Sequence, residues 1–341
     1  MPPREHRPRR RLSAPSVLVT GGAGFIGYHL ARALVDGGDQ VHLVDNLSRG
    51  TVDRELTRIL EEPNARFSEL DLLTAPPDAF RTDYTLIFHL SAIVGVSNVV
   101  RDPERVLRDN LLMLLKVMEV ARRQPHLERL VFASTSEVYA GTLEHFSLPF
   151  PTPETTPLAL PDLGAPRSAY MFSKLYGEAL VRQSGLPFTI VRPHNLYGPR
   201  MGMAHVIPEL LRAAYELPDG GQLEVASVGH RRTFCYVTDA VEMLERVAGE
   251  PRCAGEVLNV GSQVPEVTIG EVADLVIETV GKKLSVRATA PTPGSPTRRC
   301  PDMSRLRSLV GYEAQVGLRD GIQQTYAWYR DRLFAEPAPS A

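Results

Sequence analysis

Residues 16–46 read SVLVTGGAGFIGYHLARALVDGGDQVHLVDN, and this stretch decides the fold class of the chain. Gly21, Gly24 and Gly27 lie between a predicted strand and a predicted helix that begins near Phe25. The first glycine permits a tight turn, the second lets backbone approach a pyrophosphate, and the third lets helix pack close to strand. The helix then directs its free N–H groups and the positive end of its dipole toward the phosphates.

A second predicted strand ends at Asp45, about twenty residues after the glycines, where an acid binds the hydroxyls of an adenosine ribose. A carboxylate at that place repels a 2′-phosphate. The stretch therefore predicts a dinucleotide site that takes NAD rather than NADP.

Short apolar segments alternate with longer amphipathic segments up to about residue 193. Such alternation is typical of βαβ units with right-handed crossovers on a parallel sheet. We therefore predict an α/β fold with a Rossmann-type, doubly wound parallel sheet. The predicted strands are 16–20, 41–44, 86–88, 130–133 and 188–191, and the predicted helices are 25–36, 103–123 and 168–183.

After residue 193 the pattern loosens, and short helices predicted at 206–215, 239–247 and 269–280 are separated by loops rich in Gly and Pro. Residues 148–166 are also dense in Gly and Pro, and loops of this length are usually functional or disordered. The predicted divisions are a flexible Arg-rich tail (1–15), an NAD-binding Rossmann domain (16–193), a smaller, partly interleaved C-terminal α/β substrate domain (194–333) and a flexible tail (334–341).

The composition excludes several classes of protein. The 341 residues hold 38 basic and 40 acidic side chains, so no overall positive charge favours a nucleic-acid partner. No apolar run approaches the roughly 20 residues of a membrane span. The 3 cysteines fit neither a disulfide framework nor a zinc cluster, and they favour a reducing, cytoplasmic location.

A pair of side chains suited to proton transfer follows in the sequence YMFSK at 170–174. A spacing of four places Tyr170 and Lys174 on one helix face, about 5–6 Å apart at Cβ. A nearby ammonium is expected to lower the pKa of the Tyr170 phenol from its usual value of about 10. Such a tyrosine takes a proton from a sugar hydroxyl while hydride leaves the same carbon.

These motifs belong to a longer ordered series. It comprises TGGAGFIG at 20–27, VDNLSRG at 44–50, HLSAIVGV at 89–96, ASTSEVYAG at 133–141, YMFSK at 170–174, RPHNLYGPR at 192–200, RRTFCYVTD at 231–239 and RRCPDM at 298–303. From Val17 to about Trp328 the chain resembles the extended short-chain dehydrogenase/reductases, specifically the nucleotide-sugar epimerase/dehydratase/decarboxylase family.

The resemblance implies roles at matching positions. Asp71 and Leu72 match a pair that contacts adenine, and residues 90–92 match a segment along the cofactor phosphates and ribose. The implied NAD contacts are Gly21, Gly24, Phe25, Ile26, Gly27, Asp45, Asn46, Asp71, Leu72, Leu90, Ser91, Ala92, Asn110, Tyr170, Lys174 and Pro193. The implied catalytic residues are Tyr170, Lys174, Thr135 and Glu137. The implied substrate contacts are Thr135, Ser136 and Glu137, together with Asn195, Arg232 and Arg299, which match residues that hold the diphosphate.

Family members share a first step in which the tyrosine takes the O4 proton and NAD⁺ takes the C4 hydride, leaving a 4-keto sugar nucleotide. A 4,6-dehydratase would then need an aspartate where this chain has Ser136, and a serine hydroxyl is a poor acid near neutral pH. Thr-Ser-Glu at 135–137 resembles UDP-glucuronate decarboxylases. His194 replaces a bulky aromatic residue, and the Gly-Arg segment expected after Arg200 is missing, both departures from that subfamily.

We therefore interpret the chain as a UDP-sugar 4-epimerase acting on UDP-glucuronate or UDP-glucose. A UDP-glucuronate decarboxylase is the close alternative, and a non-catalytic NAD-binding regulatory protein is the third. His89, His194 and His205 lack the spacing of a helix-borne metal site, so no metal is expected. The resemblance also implies a homodimer that pairs through the helices predicted at 103–123 and 168–183.

Overall fold

The computed structural model describes residues 15–292 and 294–334. The predicted tails at 1–15 and 334–341 therefore lie outside the described residues, except for Pro15 and Phe334. The strands are β1 (Ser16–Thr20), β2 (Gln40–Asp45), β3 (Ala65–Glu69), β4 (Leu86–His89), β5 (Arg129–Ala133), β6 (Phe188–Pro193), β7 (Leu196–Tyr197), β8 (Gln222–Ala226), β9 (Arg231–Arg232), β10 (Cys235–Tyr236), β11 (Val257–Val260), β12 (Val267–Thr268), β13 (Ser285–Thr289) and β14 (Arg298–Arg299).

The α-helices are α1 (Phe25–Asp36), α2 (Arg54–Leu60), α3 (Val96–Arg101), α4 (Pro103–Arg122), α5 (Ala140–His145), α6 (Ser168–Arg182), α7 (Val206–Glu216), α8 (Val237–Gly249), α9 (Ile269–Val280), α10 (Ser304–Val310) and α11 (Leu318–Tyr329). Short 3-10 turns cover Pro77–Ala79, Ser136–Tyr139 and Pro251–Cys253, and a π-helical turn covers Arg330–Phe334. Of the described helices, none has the length and apolarity needed to cross a bilayer.

Seven strands form one parallel sheet in the order β11-β6-β5-β4-β1-β2-β3. The chain runs outward from β1 to β3 and then returns to β4 on the other side of β1. This reversal places a crevice at the carboxyl ends of β1 and β4, where open α/β sheets bind their ligands. The predicted doubly wound sheet is thereby confirmed.

Helices cover both faces of this sheet. One face packs β1, β2 and β4 against α1 and α8, and the other packs the same strands against α4 and α6. The central strands are buried throughout, as expected for a parallel sheet covered on both sides. Strand β3 was not predicted, because this edge strand is only partly buried and its ARFSE sequence lacks the apolar run of its neighbours.

A smaller body with its own apolar core contains α7, α9 and α11 together with the parallel pair β8 and β13. Three elements after residue 193, namely β11, α8 and α10, nevertheless belong to the large body, and α10 packs against both of the others. Strand β11 pairs with β6, and α8 packs against α1. The division near residue 193 remains a prediction, with these three elements as its interleaved part.

The Pro-rich segment after α5 is hydrogen-bonded to the residues that precede α10. Its Thr152 N–H donates to the Cys300 carbonyl at 2.8 Å, and the Asp302 N–H donates to the Thr152 carbonyl at 2.9 Å. The segment therefore forms one wall of the space between the sheet and the smaller body.

Candidate active site

The turn between β1 and α1 brings backbone close to backbone. Gly21 has φ +73°, and a Cβ atom there would lie 2.9 Å from the Ser91 nitrogen. A Cβ atom on Gly27 would lie 2.0 Å from the Gly21 carbonyl oxygen. Glycine at these two positions therefore allows backbone segments to pack directly against each other, and the turn keeps bare backbone available for a cofactor pyrophosphate.

Two further features of the turn suit a dinucleotide. Gly24 is the N-cap of α1 and brings no side-chain hydrogen bond to the helix end, so the first N–H groups of α1 face outward. Asp45 ends β2, as predicted, and its carboxylate accepts from the Ala23 N–H at 3.1 Å and the Leu47 N–H at 2.9 Å. Asp45, the predicted acceptor for the ribose hydroxyls, thus also stabilises the turn.

The other predicted cofactor residues surround the same crevice. The Asn46 side chain donates to the Asp71 carboxylate at 3.4 Å, at the ends of the neighbouring strands β2 and β3. Asn110 uses its amide within the protein, because it accepts from the Ile93 N–H at 2.7 Å and donates to the Ser173 hydroxyl at 3.1 Å. Asn110 therefore ties the segment after β4 to α6. Phe25 and Ile26 begin α1, Leu72 is buried, residues 90–92 follow β4, and Pro193 ends β6.

Tyr170 and Lys174 both lie on α6, and the Lys174 side chain reaches the end of β5. The Thr135 side chain lies near the Tyr170 hydroxyl and lowers the pKa of the phenol. The Lys174 ammonium donates to the Ala133 carbonyl at 2.8 Å and lies 5.9 Å from the centre of the Tyr170 ring. Burial lowers the pKa of Lys174 to about 8.

The expected lowering of the Tyr170 pKa is wrong for the protein chain alone. The pKa of Tyr170 is raised, first by burial and then by the neighbouring Glu137 carboxylate, whereas the Thr135 side chain and the Arg49 guanidinium lower it. The Lys174 ammonium is directed at a backbone carbonyl. The protein chain alone therefore favours a protonated Tyr170 near neutral pH.

Glu137 and Arg299 form an ion pair that sequence reasoning did not foresee. The Arg299 guanidinium donates to the Glu137 carboxylate at 2.6 Å, although 162 residues separate the two in the chain. This contact holds the pKa of Glu137 below its usual value, with smaller contributions from Arg167 and Arg232. Arg299, predicted to hold a diphosphate, is therefore engaged with a carboxylate beside Tyr170.

The remaining predicted substrate residues lie around this pair. Arg232 is buried and donates to the Ser295 hydroxyl at 3.0 Å, and burial lowers its pKa to about 10. Asn195 has φ +40° and donates to the Thr233 carbonyl at 2.9 Å. Ser136 is buried beside Thr135. The three guanidinium groups near Glu137 suit an anionic ligand.

A family model described as the NAD dependent epimerase/dehydratase family matches residues 17–261. The chain belongs to this family. NAD is accordingly its cofactor, as the glycine turn and Asp45 predicted, and its reaction is that of an NAD-dependent nucleotide-sugar epimerase, dehydratase or decarboxylase.

Two curated relatives resemble the chain along most of its length. A UDP-N-acetyl-alpha-D-glucosaminuronate decarboxylase of Bacillus cytotoxicus is 32% identical over 330 residues, covering 92% of this chain and 97% of the relative. UDP-glucuronic acid decarboxylase 5 of Arabidopsis thaliana is 31% identical over 325 residues, covering 93% and 90%.

Among solved structures, the UDP-glucose 4-epimerase of Thermotoga maritima with UDP-glucose is similar, with 27% identity and a TM-score of 0.79. The match covers 93% of this chain and 99% of that one. Relatives of the chain in the family thus include both decarboxylases and 4-epimerases.

Behind Tyr170 and Lys174 of this family member lies a buried polar network. The Glu178 carboxylate on α6 accepts from two nitrogens of Arg192 at 2.9 and 2.8 Å. Arg192 donates to the Tyr139 hydroxyl at 2.8 Å, and Tyr139 donates to the Asn259 side-chain oxygen at 3.0 Å. His194 joins the same oxygen at 3.0 Å. Arginine inside the buried strand β6 was the one signal of this network in the sequence.

A cavity open to solvent lies between this network and the ion pair. Its lining includes Ser136, Tyr139, Phe150, His194, Arg298 and Arg299. The cavity adjoins Tyr170 through Ser136 and the neighbouring Thr135.

The histidines do not cluster. His89 lies in β4, hydrogen-bonded to the Thr20 hydroxyl at 2.9 Å, and His194 lies in the cavity wall. His205 precedes α7. Within residues 15–292 and 294–334, no group of three or more His, Cys, Asp or Glu side chains is arranged to hold a metal ion.

Proposed function

We propose that the chain is an NAD-dependent UDP-sugar 4-epimerase that acts on UDP-glucuronate or UDP-glucose through a transient 4-keto sugar. The observation that carries the proposal is the state of the groups beside Tyr170. Glu137 is held as a carboxylate by Arg299, and Ser136 is not an acid. Tyr170 is then the proton-transfer group of the site, which suffices to interconvert an alcohol and a ketone and does not suffice for dehydration.

The chain's own residues would act as follows. Bound NAD⁺ supplies the acceptor for the hydrogen at C4. Tyr170 acts as a phenolate, a form that the Thr135 side chain favours and that the positive charge of bound NAD⁺ would favour further. It takes the O4 proton as the hydrogen leaves C4, and it returns the proton to O4 once the hydrogen at C4 has been restored on the opposite face of the sugar. Lys174 holds the end of β5 through the Ala133 carbonyl. Arg232 offers positive charge to the diphosphate, while Arg299 stays paired with Glu137.

The electrostatics of Glu137 favour epimerisation over decarboxylation. Loss of carbon dioxide from a 4-keto uronate breaks the C5–C6 bond, leaves its electron pair as an enolate, and requires a proton at C5. A carboxylate whose pKa is lowered by a guanidinium is a poor donor of that proton at neutral pH. Epimerisation makes no such demand.

UDP-glucuronate decarboxylation is the second candidate, because the curated relatives from Bacillus cytotoxicus and Arabidopsis thaliana carry uronate decarboxylase names. The Thr-Ser-Glu sequence at 135–137 points the same way. In that reaction Tyr170 would still form the ketone, and Glu137 would have to receive a proton before C5 is protonated.

One incubation separates the candidates. The purified, NAD-loaded protein is mixed with UDP-glucuronate, and separately with UDP-glucose, in deuterated buffer, and products are identified by NMR. We expect UDP-galacturonate or UDP-galactose without deuterium at C5 and without net NADH. UDP-xylose carrying deuterium at C5, with released carbon dioxide, would replace the epimerase proposal by the decarboxylase one.

Failure to convert any UDP-sugar while NAD binds would instead favour a non-catalytic regulatory protein.

The matched control is Glu137→Gln, which removes the charge of the carboxylate and keeps the shape of the side chain. An epimerase of the proposed kind keeps its product spectrum with this variant.

We also propose that the protein forms a homodimer through α4 and α6, which pack against each other at the surface. Leu112 and Leu115 on α4 are 47% and 43% exposed, and a second copy would cover them. Light scattering should show a dimer that Leu112→Glu with Leu115→Glu converts to a monomer. Val264→Glu, at a residue 74% exposed elsewhere, is the control.

A further inference from the structure

The buried network settles which nitrogen of His194 carries the proton. Asn259 donates from its amide nitrogen to the carbonyls of Thr152 at 3.0 Å and Asp302 at 3.1 Å, so its oxygen must be the acceptor. That oxygen is 3.0 Å from Nε2 of His194. Two acceptors cannot share a hydrogen bond, so Nε2 is protonated and Nδ1 carries a lone pair.

The second input to Asn259 makes this assignment firm. The Tyr139 hydroxyl oxygen accepts a hydrogen bond from the Arg192 guanidinium, and its O–H donates a hydrogen bond to the Asn259 side-chain oxygen. Arg192 is in turn held by Glu178 on the catalytic helix α6. Each residue of this hydrogen-bonded series therefore has its donor or acceptor role fixed by its neighbour, and His194 is the last residue of the series.

His194 Nδ1 is buried and has no protein hydrogen-bond partner among the described residues. The residue is 1% exposed and lines the cavity beside Ser136 and Arg299. A buried polar atom without a partner is destabilising, and such atoms usually meet a ligand or a water molecule. Burial and the nearby guanidinium groups lower the pKa of His194 to about 3, so the lone pair persists at neutral pH.

We propose that His194 Nδ1 accepts a hydrogen bond from a hydroxyl of the hexose and thereby selects sugars that present a hydroxyl to this wall of the cavity. This inference rests on the proposed use of a UDP-sugar. A neutral acceptor favours hydroxyl donors and disfavours a carboxylate at the same place.

The consequence is a specificity-determining residue that touches the sugar and takes no part in proton transfer. A site built to pair with a substrate hydroxyl discriminates strongly against an analogue that lacks it, because the site's polar group is then left unpaired. The family's usual bulky aromatic residue at this position would lack the acceptor.

The test measures binding of UDP and of UDP-glucose to the NAD-loaded protein by calorimetry. His194→Phe keeps a flat ring and removes the acceptor, so UDP-glucose should bind about 5- to 100-fold more weakly while UDP is unaffected. His194→Asn restores an acceptor at the δ position and should recover part of the loss. A deoxy analogue that lacks the paired hydroxyl should bind wild type and His194→Phe equally.

Equal weakening of UDP and UDP-glucose, or no weakening of either, would overturn the proposal and leave Nδ1 with a water molecule only. ¹⁵N NMR of the wild type gives a readout that needs no variant. The Nδ1 signal should be that of an unprotonated nitrogen and should move with UDP-glucose but not with UDP. A proton on Nδ1 would refute the assignment. Because these measurements need no turnover, failure of the epimerase proposal would appear separately in the product assay.

Discussion

The glycine turn and the cavity wall are two binding regions built in opposite ways. The turn uses residues 20–27, which are contiguous, and it offers backbone N–H groups with little side-chain participation. The cavity wall collects side chains from residues as distant as Ser136 and Arg299, and it offers hydroxyl groups, guanidinium groups and an imidazole. The turn is suited to its ligand because glycines leave the backbone uncovered. The cavity wall is suited to its ligand because a buried hydrogen-bond network fixes which of its polar atoms donate and which accept.

The difference predicts different sensitivities. A larger side chain should weaken cofactor binding at the turn. At the cavity wall, loss of a single polar atom should weaken ligand binding, even when that atom lies far from the ligand. Buried neutral histidines are present near both regions, so both should respond to acid.

Acidification should give the largest effect. Burial lowers the pKa of His42 to about 4 and that of His89 and His194 to about 3. The pKa of each histidine is lower in the folded protein than the value of about 6.5 in the unfolded chain. The contribution of the neutral histidines to the free energy of unfolding is therefore complete above pH 6.5, and it is lost as the pH falls through 6.5 toward 4. Near pH 5 the three histidines together should lower the free energy of unfolding by about 4 kcal/mol for each unit by which the pH falls.

The measurement is proton uptake on unfolding, obtained by calorimetry in buffers of different ionisation enthalpy. We expect these three histidines to contribute roughly three protons at pH 5. His42→Gln should remove about one of them. Unchanged uptake in His42→Gln would contradict an origin of the acid sensitivity in the buried histidines.

Tyr170→Phe should lower turnover by about 10²–10⁴-fold, the usual contribution of a positioned acid or base. The variant lacks only a hydroxyl at a half-buried position, so NAD binding and folding should be nearly intact. Steady-state rates and NAD titration check this. Tyr176→Phe, on the same helix and 47% exposed, is the control. A Tyr170→Phe variant with more than half the wild-type rate would end the mechanism.

Gly27→Ala should damage the turn. The new Cβ atom would lie 2.0 Å from the Gly21 carbonyl oxygen, and backbone must move to relieve the contact. Such overpacking typically costs about 1–3 kcal/mol. The thermal midpoint and NAD affinity should both fall. Gly229→Ala, where the added atom meets nothing within 4 Å, should change neither. Equal behaviour of the two variants would refute the close-approach role of Gly27.

Asp45→Asn should give the smallest effect and tests cofactor choice. The amide keeps one acceptor oxygen for the turn and removes the charge that repels a 2′-phosphate. We expect NAD⁺ to bind the wild type far more tightly than NADP⁺, and the variant to narrow that gap by roughly tenfold, about 1.4 kcal/mol. Calorimetric titration of both cofactors measures it. Equal wild-type affinities would refute the role of Asp45.

Several features of the site were readable from residues close together in the chain. Helix α1 begins and ends where predicted, at Phe25 and Asp36, because its glycine start and apolar period are local signals. Edge strand β3 was missed, since a partly buried edge lacks such a signal. The partner of Glu137 was missed for another reason: Arg299 is a plain surface-like arginine in the sequence, and only packing brings it to the carboxylate.

The amino-acid sequence by itself determined the alternation of strands and helices, the bare turn for the cofactor, and the placement of Tyr170 and Lys174 on one helix face. These properties depend on local backbone geometry, which repeats every two residues in a strand and about every 3.6 in a helix. Tertiary structure alone decided the direction of the Lys174 ammonium, the raised pKa of Tyr170 and the free lone pair of His194. Each of these depends on burial and on partners far along the chain, and none is written in the spacing of neighbouring residues.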